Sequence, residues 1–262
     1  MKIGIIGGGN LGSSLVKGFI KSGLFLPENI IVSDTDGQKI RELAKLFVDI
    51  TPDNKRLVKN CDVVFLAVKP DMVEPVLEEV EGLSEGKLFI SVAAGVSTKF
   101  VESRTKARVI RAMPNVCGSI IEMASSFSLG SRATKKDAQF IERLFGEMGT
   151  TFMVEEELLD AVTGLSGSGP AFFYYLIKAV RDAGVELGLP EEVALKLAAQ
   201  TAKGAAGIVL NSGENLDDLI RRVCTPKGTT IEGINVLESK KVADAVKGAV
   251  KAAAKRAKEL SR

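Results

Sequence analysis

A glycine-rich segment near the N-terminus has the spacing of a phosphate-binding loop. Gly7, Gly9 and Gly12 fit the pattern G-x-G-x-x-G between a short apolar run and an amphipathic stretch. In that position the first glycine permits a tight turn, the second lets amides approach a pyrophosphate, and the third allows close helix packing. Asn10 and Leu11 then open a helix whose N-terminal amides favour phosphate. The pattern predicts a dinucleotide site.

Polar residues after the next apolar run bear on the choice between NAD and NADP. Ser33 and Asp34 lie about 20 residues beyond the last glycine, where an acid commonly binds the adenosine ribose hydroxyls. Carboxylates at Asp34 and Asp36 would repel a 2′-phosphate, which favours NAD. Asn54 and the two basic residues after it could donate to the same ribose, or could form only a polar loop and helix cap. The preference between NADP and NAD stays open.

Small and polar residues follow three later apolar runs that are typical of strands. Ligands of open α/β sheets bind at the carboxyl ends of the strands, so loops at this edge are candidates for the cofactor site. A proline in the first loop keeps the residue before it out of helical geometry, so that loop should cross the cofactor in extended form. Small side chains in the second loop suit a flat nicotinamide ring. The predicted cofactor contacts in these loops are Ala67, Val68, Lys69, Pro70, Ala93, Ala94, Gly95 and Asn115.

The composition argues against several classes of protein. The 262 residues include 45% apolar and 26% charged ones, and the net charge of +2 gives no field for recruiting nucleic acid or an anionic membrane. The chain has no histidine and its three cysteines are scattered, so we expect no metal site. Glycines interrupt the apolar N-terminal run, and no stretch looks long enough to span a bilayer. We expect a cytoplasmic protein that binds neither nucleic acid nor membrane.

The elements that position these residues alternate between strand and helix in the first half of the chain. Continuous apolar runs separated by amphipathic stretches are typical of a parallel sheet covered on both faces. This predicts an α/β fold with a doubly wound, mostly parallel sheet in residues 1–154 and an all-helical domain in residues 155–262. The predicted strands are 2–6, 30–33, 62–68, 88–92, 108–112, 125–129 and 151–154, and the predicted helices between them are 10–21, 37–46, 71–80, 98–103 and 135–148.

The second half of the chain reads as helices with many small side chains. Ala, Leu, Lys and Glu recur at helical spacing, and Gly188 with Pro190 marks the end of one helix and the start of the next. Small residues at 195–210 let helix backbones approach closely, so this half should bury its surface against a second copy. The lysine-rich segment 240–262 is typical of a solvated helix face. We expect a homodimer or a higher homo-oligomer.

Seven segments resemble pyrroline-5-carboxylate reductases. In the first half they are IGGGN at 6–10, FLAVKP at 65–70, SVAAGV at 91–96 and RAMPN at 111–115. In the second half they are GLSGSGPAFFY at 164–174, GLP at 188–190 and TPKGTT at 225–230. The GSGPAFFY and GTT segments are specific to that family, whereas the glycine loop is shared with many relatives. The resemblance covers essentially the whole chain.

The resemblance implies an enzyme of the last step of proline synthesis, which reduces the cyclic imine 1-pyrroline-5-carboxylate and usually prefers NADPH. It implies a cytoplasmic protein with a Rossmann-type domain and a helical domain that interlocks with a partner subunit. It also implies that Ala67, Lys69 and Pro70 line the cofactor and that Asn54 lies near the adenosine ribose.

The resemblance further implies a substrate site in the loop 225–230. Thr225 and the amides of Gly228, Thr229 and Thr230 would hold the substrate carboxylate, and the Thr230 hydroxyl, near the ring nitrogen, would be the catalytic group. Such a loop before a helix offers amide donors and a dipole, whereas a simple helix cap would need only one threonine. The family's Ser-Pro-Gly-Gly is Thr-Pro-Lys-Gly here, so the charged Lys227 stands where a glycine is usual.

The side chains present also suit reduction of an imine. Reducing a carbonyl generates an alkoxide and usually needs an acid such as histidine, lysine or tyrosine. This chain has no histidine and two tyrosines. A cyclic imine can arrive protonated, so the protein need only hold the carboxylate, orient the ring and exclude water.

Two other functions fit parts of the pattern. A 3-hydroxy acid dehydrogenase would need a catalytic lysine in the first helix of the second domain, where Lys178 is the candidate. A non-catalytic dinucleotide-binding regulator would keep the glycine loop, but it would have no use for the intact GTT segment at 228–230.

Overall fold

A computed structural model describes residues 1–260. Residues 261–262, which end the predicted helical domain and the lysine-rich segment, lie outside the described residues. Within the described range the strands are β1 (Ile3–Ile6), β2 (Ile30–Ser33), β3 (Asp49–Thr51), β4 (Val63–Leu66), β5 (Leu88–Ser91), β6 (Arg108–Met113), β7 (Met123–Leu129) and β8 (Gly149–Met153). The α-helices there are α1 (Asn10–Lys21), α2 (Gly37–Ala44), α3 (Asn54–Asn60), α4 (Val73–Glu79), α5 (Thr98–Glu102), α6 (Lys135–Gly146), α7 (Leu159–Val162), α8 (Gly169–Glu186), α9 (Glu191–Ser212), α10 (Leu216–Val223), α11 (Thr229–Ser239) and α12 (Val242–Glu259).

The strands form one sheet in the order β3-β2-β1-β4-β5-β6-β7-β8. Neighbouring strands are parallel except β6 and β7, which are antiparallel. The chain changes direction across the sheet at β1, where Ile3 lies opposite both Ile30 and Val63. This is the doubly wound arrangement of a Rossmann-type domain, which places a ligand site at the carboxyl ends of the strands beside that switch point. The predicted fold class is confirmed.

Two apolar layers hold the sheet from its two faces. Ile5 and Phe65 belong to the layer that contains α1 and α6, whereas Ile6 and Leu66 belong to the layer that contains α3, α4 and α5. The Phe65 ring lies 5.4 Å from that of Phe19 on α1. Burial of a side chain of this size contributes roughly 1.5–3 kcal/mol. Because both faces are buried, the strands read as continuous apolar runs, and the carboxyl-edge loops start from a rigid frame.

The chain divides into two compact units. One comprises Met1–Pro170 and the segment that begins at Val250, and the other comprises Ala171–Ala249. The first unit holds the sheet, α7 and a π-helical turn at Thr163–Gly167. The predicted boundary between residues 154 and 155 falls just after β8, where strands give way to helices, and it stays a prediction.

The helix α9 carries the predicted run of small side chains. Among the described residues it is the one helix whose length and composition would allow it to cross a membrane, with 11% of its apolar window buried. The prediction that no apolar stretch is long enough to span a bilayer therefore does not hold for α9 by length and composition. Its alanines, together with separate large apolar residues and the short run at 208–210, raise the mean hydropathy of α9 without forming one long run of large apolar side chains.

One strand and one α-helix within residues 1–154 escaped the sequence-based predictions. The edge strand β3 has three residues, two of which are Asp49 and Thr51, and so gives no periodic apolar signal. The segment of α3, read as a polar loop or helix cap, is a seven-residue helix capped by Asp53, whose carboxylate accepts from the Arg56 amide at 3.0 Å. The predicted helix 71–80 is a 3-10 turn at Pro70–Met72 followed by α4.

Candidate active site

The glycine loop joins β1 to α1 at the carboxyl edge of the sheet. Gly7 has a φ of +107°, and a Cβ there would lie 2.5 Å from the Ala67 carbonyl oxygen. A Cβ on Gly12 would collide with the Gly7 carbonyl oxygen, whereas nothing lies within 4 Å of a Cβ built on Gly9. Two of the three glycines are therefore required by close packing, and the third leaves open space.

The start of α1 offers unshared amides beside that space. Gly9 is the N-cap residue, and within the described chain no side chain caps the helix and no acidic residue stands in its first turn. The Ser13 amide makes the first intrahelical bond, to Gly9 O at 2.8 Å, so the amides of Asn10 and Leu11 have no acceptor within the helix. An open cradle with free N–H groups at a helix N-terminus fits the pyrophosphate of a dinucleotide.

Asp34 follows β2 and is bound into the glycine loop. Its Oδ2 accepts from the Gly8 amide at 2.7 Å, and its Oδ1 accepts from the Asp36 amide at 2.8 Å. The side chain is 11% exposed. The carboxylate therefore holds the glycine loop and the start of the next segment in place. Its predicted contact with the ribose would use the oxygen lone pairs that remain.

A cation that the sequence pattern did not suggest lies beside the two aspartates. Lys39 Nζ lies 4.0 Å from Asp34 Oδ2 and 3.6 Å from Asp36 Oδ2. The Gln38 amide is the main group that holds the pKa of the Asp36 carboxyl below its usual value, and Lys39 adds to this effect. Lys39 stands three residues after Asp36 on α2, a helical spacing that could have indicated this pairing. Its ammonium partly neutralises the negative charge of the two carboxylates at the position predicted for the ribose.

Ser33 and Asn54 lie together at the same edge. Ser33 Oγ donates to Asn54 Oδ1 at 2.6 Å, and Asn54 Nδ2 donates to Glu79 Oε2 at 2.7 Å. The structure therefore brings the two predicted ribose-binding residues into contact. Both ends of the Asn54 amide already bond to protein, and its role toward the ribose stays a prediction.

The loop after β4 has the backbone that was predicted for it. The Ala67 amide donates to Ile6 O at 2.8 Å, which extends the β1–β4 pairing into the loop. Lys69 is extended, with φ −61° and ψ 152°, and Pro70 begins the 3-10 turn. Val68, between Ala67 and Lys69, is partly buried against the second apolar layer. The extended passage at Lys69 is confirmed, and contact of this loop with the cofactor stays a prediction.

The loops after β5 and β6 are ordered by contacts within the protein. Ala93 is buried, Ala94 is half-buried, and Gly95 turns the chain with a φ of +73°. Asn115 is 7% exposed, and its Oδ1 accepts from the Cys117 amide at 3.2 Å. Its Nδ2 donates to Ser166 O at 3.1 Å.

The Asn115–Ser166 contact ties the β6 loop to the π-helical turn, a feature the sequence pattern did not predict. In that turn the Ser168 amide bonds to Thr163 O, five residues back, at 2.8 Å. Such turns occur often at functional sites. The closely spaced Gly164, Gly167 and Gly169 are the signal that could have indicated an irregular helix.

The predicted substrate loop lies in the second unit and is a tight turn followed by α11. The Gly228 amide donates to Thr225 O at 2.9 Å, and Lys227 between them has a φ of +61°. A Cβ on Gly228 would collide with Thr225 Oγ1. Gly228 is the N-cap residue of α11, and no described side chain caps that helix, so the amides of Thr229 and Thr230 are free for a ligand.

Two further expectations concern other side chains. The candidate lysine of a hydroxy acid dehydrogenase, Lys178, is 66% exposed and pairs with Asp182 at 3.0 Å. Nothing in residues 1–260 gathers three or more cysteine, aspartate or glutamate side chains in a way that could hold a metal ion.

Comparison with known proteins identifies relatives over the whole chain. Residues 156–260 match the family model described as pyrroline-5-carboxylate reductase dimerisation, and residues 2–95 match one described as NADP oxidoreductase, coenzyme F420-dependent. The pyrroline-5-carboxylate reductase of Methanosarcina acetivorans is 42% identical over 100% of this chain and 98% of its own length.

Solved structures give the same relationship. A pyrroline-5-carboxylate reductase from Coxiella burnetii has a TM-score of 0.88 and 35% identity, covering 100% of this chain and 98% of that one. The Plasmodium falciparum pyrroline carboxylate reductase with NADP bound has a TM-score of 0.91 and 27% identity, with the same coverage of 100% and 98%. The chain belongs to the pyrroline-5-carboxylate reductase family.

Proposed function

We propose that this chain reduces 1-pyrroline-5-carboxylate to L-proline with NADPH or NADH, the last step of proline biosynthesis. The observation that carries the proposal is the turn at 225–230. It places two threonines and a glycine at the uncapped start of α11, where amide donors can hold a small carboxylate. Two relatives that are named for this reaction match this chain over 98% and 95% of their own length.

The first unit would hold the dinucleotide, which supplies the hydride when bound. The open space at Gly9 and the amides of Asn10 and Leu11 would take the pyrophosphate. Ser33, Asp34 and Asn54 would face the adenosine ribose. The remaining contacts would come from the carboxyl-edge loops: Ala67, Val68, Lys69, Pro70, Ala93, Ala94, Gly95 and Asn115.

The second unit would bind and orient the imine. The Thr225 hydroxyl and the amides of Thr229 and Thr230 would hold its carboxylate, and Gly228, whose own amide closes the turn onto Thr225 O, would keep those two amides in place. The protonated ring nitrogen would lie against the Thr230 hydroxyl, which accepts its N–H. When the neighbouring carbon receives a hydride, the C=N π electrons return to the nitrogen, so no alkoxide forms and no histidine is needed. The protein contributes orientation and exclusion of water.

The rival dehydrogenase reaction is not supported by the geometry of its candidate lysine. A general acid for that reaction should lie in a desolvated cleft where its pKa can be tuned. In the single chain Lys178 is instead 66% exposed and pairs with Asp182, one helical turn away on the same helix. A non-catalytic regulator would not need the uncapped threonine-bearing start of α11.

We further propose that residues 155–262 form a helical domain that interlocks with that of a second subunit in a homodimer or larger oligomer. The match to a dimerisation family over 156–260 supports this arrangement. A partner subunit would also cover the apolar surface of α9, so that helix need not enter a membrane. On this view the protein works in the cytoplasm without membrane or nucleic acid.

Steady-state reduction of 1-pyrroline-5-carboxylate with NADPH and NADH side by side tests the proposal. We expect imine-dependent oxidation of at least one cofactor and stoichiometric formation of proline. A purified oligomer that binds a dinucleotide yet oxidises it no faster with the imine than without it would overturn the proposed reaction.

A further inference from the structure

A buried arginine on β6 is held by two carboxylates from the segment after the sheet. The Arg111 side chain is 5% exposed, and its Nη2 donates to Asp160 Oδ1 at 2.9 Å. Its Nη1 lies 3.5 Å from Glu156 Oε1. Asp160 lies on α7 and Glu156 in the 3-10 turn before it. All three residues belong to the first compact unit.

The same glutamate fixes the end of the predicted nicotinamide loop. Glu156 Oε1 accepts from the Thr98 amide at 2.7 Å, and its Oε2 accepts from Thr98 Oγ1 at 2.6 Å. Thr98 is the first residue of α5 and follows the loop that contains Ala93 and Gly95. Arg111 therefore contacts Glu156, and Glu156 in turn holds Thr98, the residue at which the loop ends and α5 begins.

Arg111 also leads directly into the second predicted cofactor loop. It lies in β6, two residues before its last residue, Met113, and four before Asn115. Asn115 in turn bonds to Ser166 O in the π-helical turn just beyond α7. The loops after β5 and β6 are thus both bound to the short segment 156–166, and Arg111 joins that segment to the sheet.

Stability alone does not account for an arginine at this position. Arg111 Nε is buried and has no hydrogen-bond partner in the described part of the chain, and the same holds for the hydroxyl of its register partner on β5, Ser91. A buried ion pair seldom improves on apolar packing, because desolvation offsets the attraction, and an unsatisfied donor adds to the cost. The fork of the guanidinium does, however, set two carboxylates in one geometry.

We propose that Arg111 is a positioning residue that aligns the loops after β5 and β6 for the dinucleotide through Glu156 and Asp160. This inference rests on the proposed function, since it assigns those loops to the nicotinamide half of the cofactor. Arg111 touches neither cofactor nor substrate in this scheme. Its effect should therefore appear in cofactor affinity and in turnover, while the substrate loop in the other unit keeps its own affinity for the imine.

Arg111→Lys tests the proposal, with Arg108→Lys as the matched control. Arg108 lies at the other end of the same strand and pairs with the buried Asp137 at 3.0 Å, away from the carboxyl edge. Lysine keeps the charge in both variants but cannot bond two carboxylates as a fork. NADPH binding to the full-length oligomer is measured by titration calorimetry without substrate, together with kcat, both KM values and the unfolding midpoint.

We expect Arg111→Lys to weaken NADPH binding and raise its KM about 10-fold, with a fall in kcat and an imine KM within about 2-fold of wild type. Arg108→Lys should lower the unfolding midpoint with wild-type kinetics. Thr98→Val, which deletes one hydrogen bond to Glu156, should change NADPH binding in the same direction as Arg111→Lys, and it replaces that variant if Arg111→Lys does not fold.

The inference would be overturned if Arg111→Lys or Thr98→Val bound NADPH as tightly as wild type. It would also be overturned if Arg108→Lys lost as much NADPH affinity as Arg111→Lys. Failure of the wild-type protein to reduce the imine would instead overturn the proposed function.

Discussion

Asp34 combines a structural contact with a predicted role in cofactor choice. Its two oxygens accept from the amides of Gly8 and Asp36, so the carboxylate shapes the loop that would receive the pyrophosphate. The same negative charge lies where the adenosine ribose is predicted, partly offset by Lys39. Loss of the side chain should therefore weaken binding of both cofactors through the loop, and should separately remove a repulsion that only NADPH feels.

We predict that Asp34→Ala raises the ratio of kcat/KM for NADPH to that for NADH about 5-fold, since the repulsion of two like charges about 4 Å apart in water amounts to about 1 kcal/mol. The ratio is the readout, because the loss of loop contacts affects both cofactors alike. Asp36→Ala is the comparison: its carboxylate is 47% exposed, against 11% for Asp34, so its effect on the ratio should be smaller. An unchanged ratio in Asp34→Ala would show that this residue does not face the ribose.

Thr230 is the one side chain that the proposed mechanism places against the reacting nitrogen. Thr230→Val keeps the shape and deletes the hydroxyl. Loss of such a hydrogen bond in a desolvated site should cost roughly 1–3 kcal/mol, or about 5- to 150-fold in kcat/KM. The unfolding midpoint and the NADPH affinity should match those of wild type. A fully active valine variant would mean that the loop acts through its backbone amides alone.

The role of a single residue could be predicted from the sequence where it depends on neighbours in the chain. Gly7 and Gly12 followed from a motif, and the structure shows the close approaches that require glycine there. The contacts of Asn115 and Arg111 with residues 51 and 49 positions later in the chain could not be predicted. Nothing in a sequence pattern reports which distant carbonyl or carboxylate a buried side chain will meet.

At the scale of elements, the turn before α11 depends on a residue in a conformation it disfavours. Pro226 stands second and Lys227 third in the turn closed by the Gly228 amide, and the third position has a φ of +61°. A turn of this pattern prefers glycine there. Lysine tolerates the left-handed region at a modest cost, whereas a β-branched residue does not.

We therefore predict different outcomes for two substitutions of Lys227. Lys227→Gly should keep the turn and leave the KM for the imine unchanged. Lys227→Val should force the turn to open and move the amides of Gly228–Thr230, raising that KM about 10-fold at a strain of roughly 1–2 kcal/mol. Steady-state kinetics with the imine varied at saturating NADPH gives the measurement. Equal KM values for both variants would contradict a carboxylate site built from these amides.

A second element-scale prediction concerns the start of α6 and its pH dependence. The Asp137 carboxylate accepts from the Thr134 amide and hydroxyl at 2.8 and 2.7 Å and from Arg108 Nε at 3.0 Å. Burial alone would raise the pKa of Asp137, but the Thr134 and Arg108 contacts outweigh it and hold that pKa below the usual 3.8. Because the folded-state pKa is the lower one, the stabilisation is complete above the unfolded-state pKa and is lost as the pH falls through the folded-state value.

Asp137→Asn should lower the free energy of unfolding by roughly 1–3 kcal/mol at pH 7, and this loss should shrink below about pH 4. Urea unfolding at several pH values and one protein concentration measures it. Glu42→Gln, which breaks an exposed pair with Lys45, is the control and should leave the midpoint unchanged. If the free energy of unfolding of Asp137→Asn stayed below that of wild type by the same amount down to pH 3, the role assigned to the ionised carboxylate would be contradicted.

The elements were predicted well where they are long or buried on both faces. α1 and β2 were predicted with their observed bounds, because a glycine loop opens the first and an unbroken apolar run makes the second. β3 and α3 were missed, since a three-residue edge strand and a seven-residue polar helix are stabilised by neighbours more than by their own composition. The division of the chain into compact units likewise depends on contacts of α7 and α12 that no local pattern encodes.

At the scale of the whole molecule, the helical unit leaves a large apolar surface uncovered in a single chain. The helices α8 and α9 and the turn between them expose Phe173, Tyr175, Leu187, Leu197 and Leu210, each by more than half of its surface. Continuous exposed apolar surface on this scale marks an interface. The dimerisation family match over 156–260 indicates that the partner is a second subunit of the same kind.

We predict that the wild-type protein is a dimer or larger oligomer and that Leu197→Glu shifts it toward monomer with loss of activity, because a carboxylate at a buried interface cannot keep its water. Leu197 is 56% exposed in the single chain and lies among Phe173, Leu176 and Val180 in a groove between α8 and α9. Gln139→Glu, which adds the same charge to an exposed position on α6, is the matched control and should change neither assembly nor activity. Size-exclusion chromatography with light scattering gives the mass of each variant, and imine-dependent NADPH oxidation gives its activity. A wild-type protein that is monomeric and fully active would contradict the interlocked arrangement, since the apolar faces of α8 and α9 would then be stable in water without a partner.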